Sequence, residues 1–246
     1  MRNPPERAWE QTDDLVAMIA HDLRGPVTAI KGFSQLALRQ PDLAPPVRTC
    51  LTITINEANR IASLIDDLVL LSRLDRGAAI STEHVDVAEV LQAAVERLSD
   101  VQLTTRVVLE ERLAEAMAWC NPSITERAVA LLIGTAQKYC VGSESIGIEL
   151  RGGEDGVVVG IVPSHAVAAE KLPALRRVVG SAEAAPTDAL TASGLGLYIC
   201  RRLIELQGGR VWLDQAPTAH TCFLLMLPAR DARDQTPSRG ECQPWS

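Results

Sequence analysis

The sequence predicts an α+β protein in which two long antiparallel helices precede a domain of mixed helices and strands. Two observations support this prediction. Near the N-terminus, two long segments place apolar residues every three or four positions, and a short proline-rich loop joins them. After Gly77 the pattern changes, and short apolar strands and helices follow one another without strict βαβ alternation. At 246 residues, the chain is long enough for one or two domains.

The two long helices form a predicted hairpin over residues 13–77, after a lead-in of residues 1–12 that holds two prolines. The loop "RQPDLAPPVR" separates the helices, and Gly77 is the expected C-cap of the second helix. A loop this short makes the helices antiparallel neighbours. Their apolar stripes consist of Leu15, Ile19, Leu23, Pro26, Ile30, Phe33 and Ala37 in the first helix and Leu51, Ile55, Ala58, Ile61, Ile65, Leu68 and Leu71 in the second.

Two helices alone cannot cover both of these apolar stripes. A second copy of the hairpin would bury the remaining apolar surface in a four-helix bundle with twofold symmetry. The sequence therefore predicts a homodimer that forms through residues 13–77.

The second domain is predicted over residues 82–228, with helices on one face of a mostly antiparallel sheet. Residues 180–193, "GSAEAAPTDALTAS", are expected to form a loop, and residues 229–246 a disordered tail. Asp86 is a candidate helix cap. The predicted helices are "VDVAEVLQAAVERL", "SITERAVALLIGTAQKYC", "AAEKLPALRRVV" and "GLGLYICRRLIELQ"; the predicted strands are "TRVVLEE", "AMAWC", "SIGIELRGG", "GVVVGIV", "GGRVWLDQ" and "TCFLLMLP", the third and fourth forming a hairpin that turns at "GGEDG".

Composition excludes several classes of function. A net charge of −7 and an aromatic content of 3% argue against a nucleic-acid partner, because such binding needs clustered cations and aromatic stacking. The six cysteines are dispersed without any CxxC or Cys/His ligand spacing, so no metal site is expected. No secretion signal or apolar run of about 20 residues is present, which predicts a soluble cytoplasmic protein without membrane insertion.

The most informative short segment is "AHDLRGP", residues 20–26. His21 lies about 200° around the helix from Ile19, away from the apolar stripe. Asp22 can accept a hydrogen bond from the imidazole and fix its tautomer, which would leave the other nitrogen as a nucleophile toward phosphorus. Arg24 offers positive charge near a phosphoryl group, and Pro26 lacks an N–H, so the helix is expected to bend there. The alternative is a surface histidine in a kinked helix.

These residues stand in a wider pattern. The segment "MIAHDLRGPVTAIKGFSQLAL" and the later "SGLGLYICRRLIELQGGRVWLDQ" with "TCFLLMLP" resemble two-component sensor histidine kinases. The resemblance covers residues 13–228. It implies that His21 is the phospho-accepting residue and that the hairpin is the dimerisation and histidine-phosphotransfer domain. It further implies that the rest is an α/β-sandwich of the histidine kinase, gyrase, Hsp90 and MutL type, with ATP and Mg²⁺ as cofactors.

The sequence departs from this family where ATP is bound. The family carries two asparagines four residues apart, of which the second holds Mg²⁺, and counting back from "AQKY" places Leu131 and Thr135 at these positions. Leucine offers no oxygen to a metal, and a threonine hydroxyl is a weak substitute for an amide. The family's adenine-binding aspartate falls on Val162 or Pro163. ATP and Mg²⁺ are therefore expected as cofactors only if the kinase site still works, and these departures argue against that.

Other nucleotide-site positions are kept. The resemblance assigns Lys138 to a phosphate contact and Tyr139 to adenine stacking. It assigns Gly194 and Gly196 to a phosphate-binding loop at a helix N-terminus, where free N–H groups suit an anion. The alternative for both glycines is fold maintenance, since a tight entry into a helix also favours glycine. With the specific recognition residues gone, we interpret these glycines as structural.

Three functions follow from this asymmetry between an intact His21 motif and an altered ATP site. The first is a working kinase that moves the γ-phosphoryl group of ATP to His21 and then to an aspartate of a response regulator. The second, which we favour, is a phosphotransfer protein that exchanges the group with a response regulator receiver domain, with an upstream kinase or sensor protein as a further partner. The third is a dimeric pseudokinase scaffold. A phosphatase role is disfavoured, because Gly25 stands where such family members carry Thr or Asn.

Overall fold

A computed structural model describes residues 4–99, 106–110, 116–139, 145–153, 155–168, 170–180, 194–215 and 221–230. The chain divides into two compact units, Met1–Ala78 and Ala79–Ser246. Residues 181–193 of the predicted loop and residues 231–246 of the predicted tail lie outside the described residues. No helix within the described part of the chain is long and apolar enough to cross a membrane.

The first unit is the predicted helical hairpin, formed by α1 (Pro4–Leu38) and α2 (Pro45–Asp75). Helix α1 begins within residues 1–12, so the lead-in predicted there is wrong from Pro4 onward. Proline fits the first turn of a helix, where its missing N–H has no intrahelical acceptor to lose. The predicted C-cap is confirmed: Gly77 has φ +86°, and its N–H donates to the carbonyl of Leu74 at 2.9 Å.

The two helices of this unit contact each other through a narrow seam. Ala20 and Val27 of α1 are buried against Ala58 and Ile65 of α2, and Ala62 and Val69 pack against them. Most described members of the apolar stripe predicted for α1 lie to one side of this seam and stay exposed in the single chain. Its exposed members include Ile19, Leu23, Ile30 and Phe33.

The second unit contains a five-stranded sheet in the order β2-β4-β5-β7-β6 and a two-stranded antiparallel sheet of β1 and β3. The pair β2 and β4 is parallel, and the other three pairs of the large sheet are antiparallel, which confirms the predicted sheet type. The strands are β1 Glu83–Asp86, β2 Arg106–Glu110, β3 Met117–Cys120, β4 Ser145–Gly153, β5 Gly156–Pro163, β6 Arg210–Gln215 and β7 Thr221–Pro228; the helices are α3 Val87–Ser99, α4 Pro122–Tyr139, α5 Leu172–Gly180 and α6 Leu195–Glu205.

Two boundaries in this unit differ from the prediction. The helix predicted from Val85 overlaps the end of strand β1, because four residues are too few to show a two-residue period. The predicted cap is confirmed, since the N–H of Ala88 donates to Asp86 Oδ1 at 2.9 Å. Helix α5 begins at Leu172 rather than at Ala168, because Pro173 has no N–H to donate and fits the first turn of a helix but not its interior.

The core of the second unit lies between α4, α6 and one face of the large sheet. Alternate residues of β4 are buried, as a two-residue period requires, and β5 is buried along most of its length. Full burial of each large apolar side chain contributes about 1.5–3 kcal/mol. The fully buried residues include Leu132, Ile133, Ile148, Leu150, Val159, Ile161, Ile199, Leu203, Phe223 and Leu225.

Two buried polar side chains connect the helices of this unit. Gln207 accepts the N–H of Asn121 at 2.7 Å, just before α4, and donates to the carbonyl of Leu203 at 3.0 Å. Arg201, 2% exposed, donates from Nη1 to the carbonyl of Val178 in the last turn of α5 at 2.6 Å. A cation at helix-terminal carbonyls is favourable because those carbonyls have no intrahelical partner.

Candidate functional site

His21 lies on an exposed surface of α1, as the sequence predicts. Its side chain is 85% exposed, and Nδ1 lies 3.2 Å from Oδ1 of Asp22, which is 73% exposed. A carboxylate only accepts hydrogen bonds, so Nδ1 carries the shared proton and Nε2 carries the lone pair in the neutral ring. The nucleophilic nitrogen is therefore Nε2, and the exposed ring leaves it accessible to a reactant.

Arg24 lies one turn further along α1 and contacts the facing helix. Its Nη2 and Nε donate to Oδ1 of Asp66 on α2 at 2.9 and 3.3 Å, and both side chains are about half exposed. The sequence places Arg24 near His21 but gives no sign of Asp66. That pairing depends on the register between α1 and α2, which the sequence of either helix does not contain.

Pro26 lies inside α1, which continues through it. Proline has no N–H, so the carbonyl of Asp22 has no helical partner; the bend expected there stays a prediction. Gly25 faces open space, with nothing within 4 Å of the position that a Cβ would take. The structure thus pairs His21 with Asp22 and places Arg24 and Pro26 further along the same helix, where Arg24 contacts Asp66 of α2.

The two positions that the resemblance assigns to asparagine face α6 from α4. Thr135 is 7% exposed, and its Oγ1 donates to the carbonyl of Leu131 at 2.7 Å. A Cβ added at Gly196, in the first turn of α6, would lie 3.6 Å from Leu131 Cδ2 and 3.7 Å from Thr135 Oγ1. Leu131, Thr135 and Gly196 therefore meet at one contact between the two helices, and these are ordinary van der Waals distances.

The remaining predicted nucleotide residues lie at the ends of the same two helices. Lys138 is exposed, and its Nζ lies 5.6 Å from the ring centroid of Tyr139, the last residue of α4. Gly194 is buried before α6 with φ −90°, and its carbonyl accepts the N–H of Tyr198 at 2.9 Å. Neither Gly194 nor Gly196 is among the described glycines with positive φ, so backbone geometry does not require glycine at either position.

The end of β5 offers no polar side chain where the resemblance expects an aspartate. Val162 packs against the buried pair Cys222 and Leu224, and Pro163 is buried opposite Ile146. Within the described residues, no group of three or more His, Cys, Asp or Glu side chains could hold a metal ion. The side chains at Leu131, Val162 and Pro163 can neither ligate Mg²⁺ nor accept a hydrogen bond from adenine.

The buried cysteines Cys120, Cys200 and Cys222 are unreactive thiols. Burial raises the pKa of the Cys120 and Cys200 thiols, and burial together with nearby Asp214 raises the pKa of Cys222 to about 12. Because the thiolate is the nucleophile and the metal ligand, these three side chains supply neither at neutral pH.

Two family models match the chain. The His Kinase A (phospho-acceptor) domain matches residues 11–77. The histidine kinase-, DNA gyrase B- and HSP90-like ATPase matches residues 121–231. Together the two matches cover more than two thirds of the chain.

Similar proteins include two curated relatives. Sensor protein IrlS of Burkholderia pseudomallei is 26% identical over 226 residues, which is 87% of this chain and 46% of that protein. Sensor protein SrrB of Staphylococcus aureus is 22% identical over 222 residues, which is 87% of this chain and 38% of that protein. The chain thus spans less than half the length of these relatives.

Two solved structures resemble the fold. Full-length ShkA in complex with AMPPNP aligns with a TM-score of 0.55 at 20% identity, over 89% of this chain and 46% of that one. Histidine kinase AdeS of Acinetobacter baumannii aligns with a TM-score of 0.53 at 16% identity, over 86% of this chain and 98% of that one. At these identities, the likeness concerns the fold alone.

Proposed function

The chain belongs to the two-component sensor histidine kinase family, and we propose that its His21 carries a phosphoryl group that passes to or from an aspartate of a response regulator. One observation carries this proposal. The His21 ring is 85% exposed, and Asp22 lies 3.2 Å from its Nδ1, which leaves Nε2 as an oriented nucleophile open to solvent. The enzyme class is histidine kinase or phosphotransferase.

The proposed step uses only residues already described. The Nε2 lone pair attacks the phosphorus of an aspartyl phosphate, the P–O bond to the aspartyl oxygen breaks, and the regulator's carboxylate is regenerated. A P–N bond forms, and the positive charge that develops on the imidazole is stabilised by Asp22 at Nδ1. The reverse step passes the group from His21 to the regulator.

A homodimer is the second part of the proposal. The exposed stripe of Ile19, Leu23, Ile30 and Phe33 on α1 supports it, because a second hairpin would bury these side chains. A receiver domain is the proposed substrate partner, and an upstream kinase or sensor protein is the proposed source of signal. The cytoplasmic location and the lack of nucleic-acid binding stay predictions from composition; the free thiols of the described cysteines suit a reducing compartment.

The phosphoryl donor is the third part. We propose that ATP bound in the same chain is not the main donor, because the residues present do not fit Mg²⁺ and adenine. Mg²⁺ needs hard oxygen ligands in near-octahedral geometry. Leu131 has none, and the hydroxyl of Thr135 is buried and hydrogen-bonded within its own helix. A regulator or an upstream kinase then supplies the group.

ATP-dependent autophosphorylation is the second candidate function, and one observation favours it. A Cβ fits at Gly196 and the backbone does not need positive φ there, so the fold gives no reason for that glycine. Glycine in a phosphate-binding turn would supply one. This weakens the interpretation of Gly196 as structural, and it makes an ATP arm necessary in the test.

The regulator arm tests phosphotransfer directly. Purified chain is mixed with a receiver domain that carries labelled aspartyl phosphate. We expect acid-labile label on the chain, and its loss in His21→Gln. His84→Gln is the matched control, because His84 is also an exposed histidine but lies on β1. Absence of label on the wild-type chain, or label that survives His21→Gln, contradicts the proposal.

The ATP arm tests the donor. The chain is incubated with γ-labelled ATP and Mg²⁺, and we expect no acid-labile label. Label that appears and is lost in His21→Gln identifies an ATP-dependent kinase and overturns the donor proposal. If neither arm labels His21, the chain is a pseudokinase scaffold.

A further inference from the structure

Asp66 occupies a position next to the candidate phosphotransfer residues that the proposed function does not use. It lies on α2, and it holds the guanidinium of Arg24 through Oδ1 at 2.9 and 3.3 Å. We propose that Asp66 is a positioning residue for phosphotransfer: it holds Arg24 in the unphosphorylated chain and releases it to the phosphoryl group on His21. This inference rests on the proposed function of His21.

The helix geometry makes this exchange possible. His21 and Arg24 are three residues apart on α1, so their side chains are neighbours on one face, with Cβ atoms about 5–6 Å apart. The long Arg24 side chain can therefore point toward α2 or toward His21 without any change of backbone. The charged group in contact with the ring is Asp22 of α1, and the next charged pair on this face is Arg24 of α1 with Asp66 of α2.

The present pairing is weak enough to exchange. Both nitrogens of Arg24 share a single carboxylate oxygen of Asp66, so the pair lacks the two parallel bonds of a bidentate contact. Both side chains are about half exposed, and water screens such pairs. Asp66 is also exposed enough to be hydrated once Arg24 leaves, so the release strands no buried charge.

The phosphoryl group is the stronger partner. It carries about −1.5 to −2 charges near neutral pH and three acceptor oxygens, against a single charge on Asp66. Before phosphorylation, the pairing neutralises Arg24 beside His21, which favours the positive charge that develops on the ring during attack. After phosphorylation, Arg24 neutralises the product instead.

The test measures the second ionisation of the phosphoryl group on His21 by phosphorus NMR. The full 246-residue chain is phosphorylated with phosphoramidate, whose P–N bond breaks with loss of ammonia as the bond to Nε2 forms. This donor needs neither ATP nor a regulator. The variants are Asp66→Asn, Arg24→Gln and the double variant.

We expect Asp66→Asn to lower the midpoint of this ionisation by about half a pH unit or more, because Asp66 then no longer competes with the phosphoryl group for Arg24. Arg24→Gln should raise the midpoint above the wild-type value. The Asp66→Asn shift should shrink to a small remainder in the Arg24→Gln background, because its effect acts through Arg24.

Glu57→Gln is the matched control. Glu57 is also an exposed acid on α2 and contacts Arg60 at 3.5 Å. It lies about 13 Å along the helix from Asp66, beyond the Debye length of about 8–10 Å. Its midpoint should equal that of the wild-type chain.

Two results overturn the inference alone: equal Asp66→Asn shifts in both backgrounds, or a midpoint that Arg24→Gln leaves unchanged. A general structural role of Asp66 would give the first of these results. A chain that takes no phosphoryl group at His21 overturns the proposed function, and the inference with it.

Discussion

Replacing Gly196 tests whether packing between α4 and α6 requires a glycine at this position of the altered ATP site. Replacing it with alanine adds a methyl group in the first turn of α6, at 3.6 Å from Leu131 Cδ2 and 3.7 Å from Thr135 Oγ1. Both are ordinary contact distances, so no neighbour has to move. Alanine also reduces the conformational entropy that the unfolded chain loses on folding, which is worth about 0.5–1 kcal/mol in a helix.

We therefore expect Gly196→Ala to raise the free energy of unfolding by about 0.5–1 kcal/mol. For a chain of this size, that corresponds to a rise in Tm of about 1–4 °C. The assay is thermal and urea unfolding of the full chain, followed by circular dichroism. A loss of stability of about 1 kcal/mol or more would refute the reasoning, because it would mean that α4 and α6 approach more closely than the described contact.

Gly156→Ala is the matched control for this prediction. Gly156 has φ +150°, and a Cβ there would overlap the carbonyl oxygen of Leu227 on β7. The same substitution should therefore destabilise the chain strongly at this position. If both variants behaved alike, the distances at the two glycines would not govern the outcome.

Three further predictions follow from the second unit. Gln207→Leu should cost about 1–3 kcal/mol, because it leaves the partly buried N–H of Asn121, just before α4, without its acceptor, whereas Gln92→Leu on the surface of α3 should change stability by about 0.5 kcal/mol or less. Arg201→Met should cost about 2–4 kcal/mol in urea unfolding through loss of the 2.6 Å bond to the end of α5, and Arg202→Met, which removes a half-buried contact to Glu205, should cost at most about 1 kcal/mol. Millimolar Mg-ATP should leave Tm unchanged, because a ligand raises Tm only when it binds the native state; a rise would contradict the donor proposal.

Local sequence signals predicted most of the fold. Long three-to-four periodicity identified α1 and α2, and the caps at Gly77 and Asp86 are set by residues within the same turn. Periodicity did not reveal which apolar residues meet within one chain. Ile19 belongs to the apolar stripe predicted for α1 but stays exposed, whereas Ala20, which is outside that stripe, lies in the seam with α2. A stripe shows that a helix face needs covering and does not identify the partner that covers it.

In the candidate site, too, contacts between neighbours in the chain could be predicted from the sequence, and contacts that depend on helix packing could not. His21 and Asp22 are adjacent in the chain, so their contact follows from the sequence. Asp66 is 42 residues from Arg24, and its role needs the register of the hairpin. The contact of Gly196 with Leu131 and Thr135 likewise needs the packing of α6 on α4.

The Gly196 prediction also separates fold from function at the altered ATP site. If alanine stabilises the chain there, packing does not explain the glycine, and its remaining use is to leave the N–H groups of the first turn of α6 open to an anion. Leu131 and Thr135 would still deny that anion a metal partner, since neither side chain presents a free hard oxygen. A more stable Gly196→Ala variant that shows no Tm response to Mg-ATP, like the wild-type chain, would therefore describe a site that has kept its phosphate-binding turn and lost its cofactor. Under that outcome, His21 must receive its phosphoryl group from another protein.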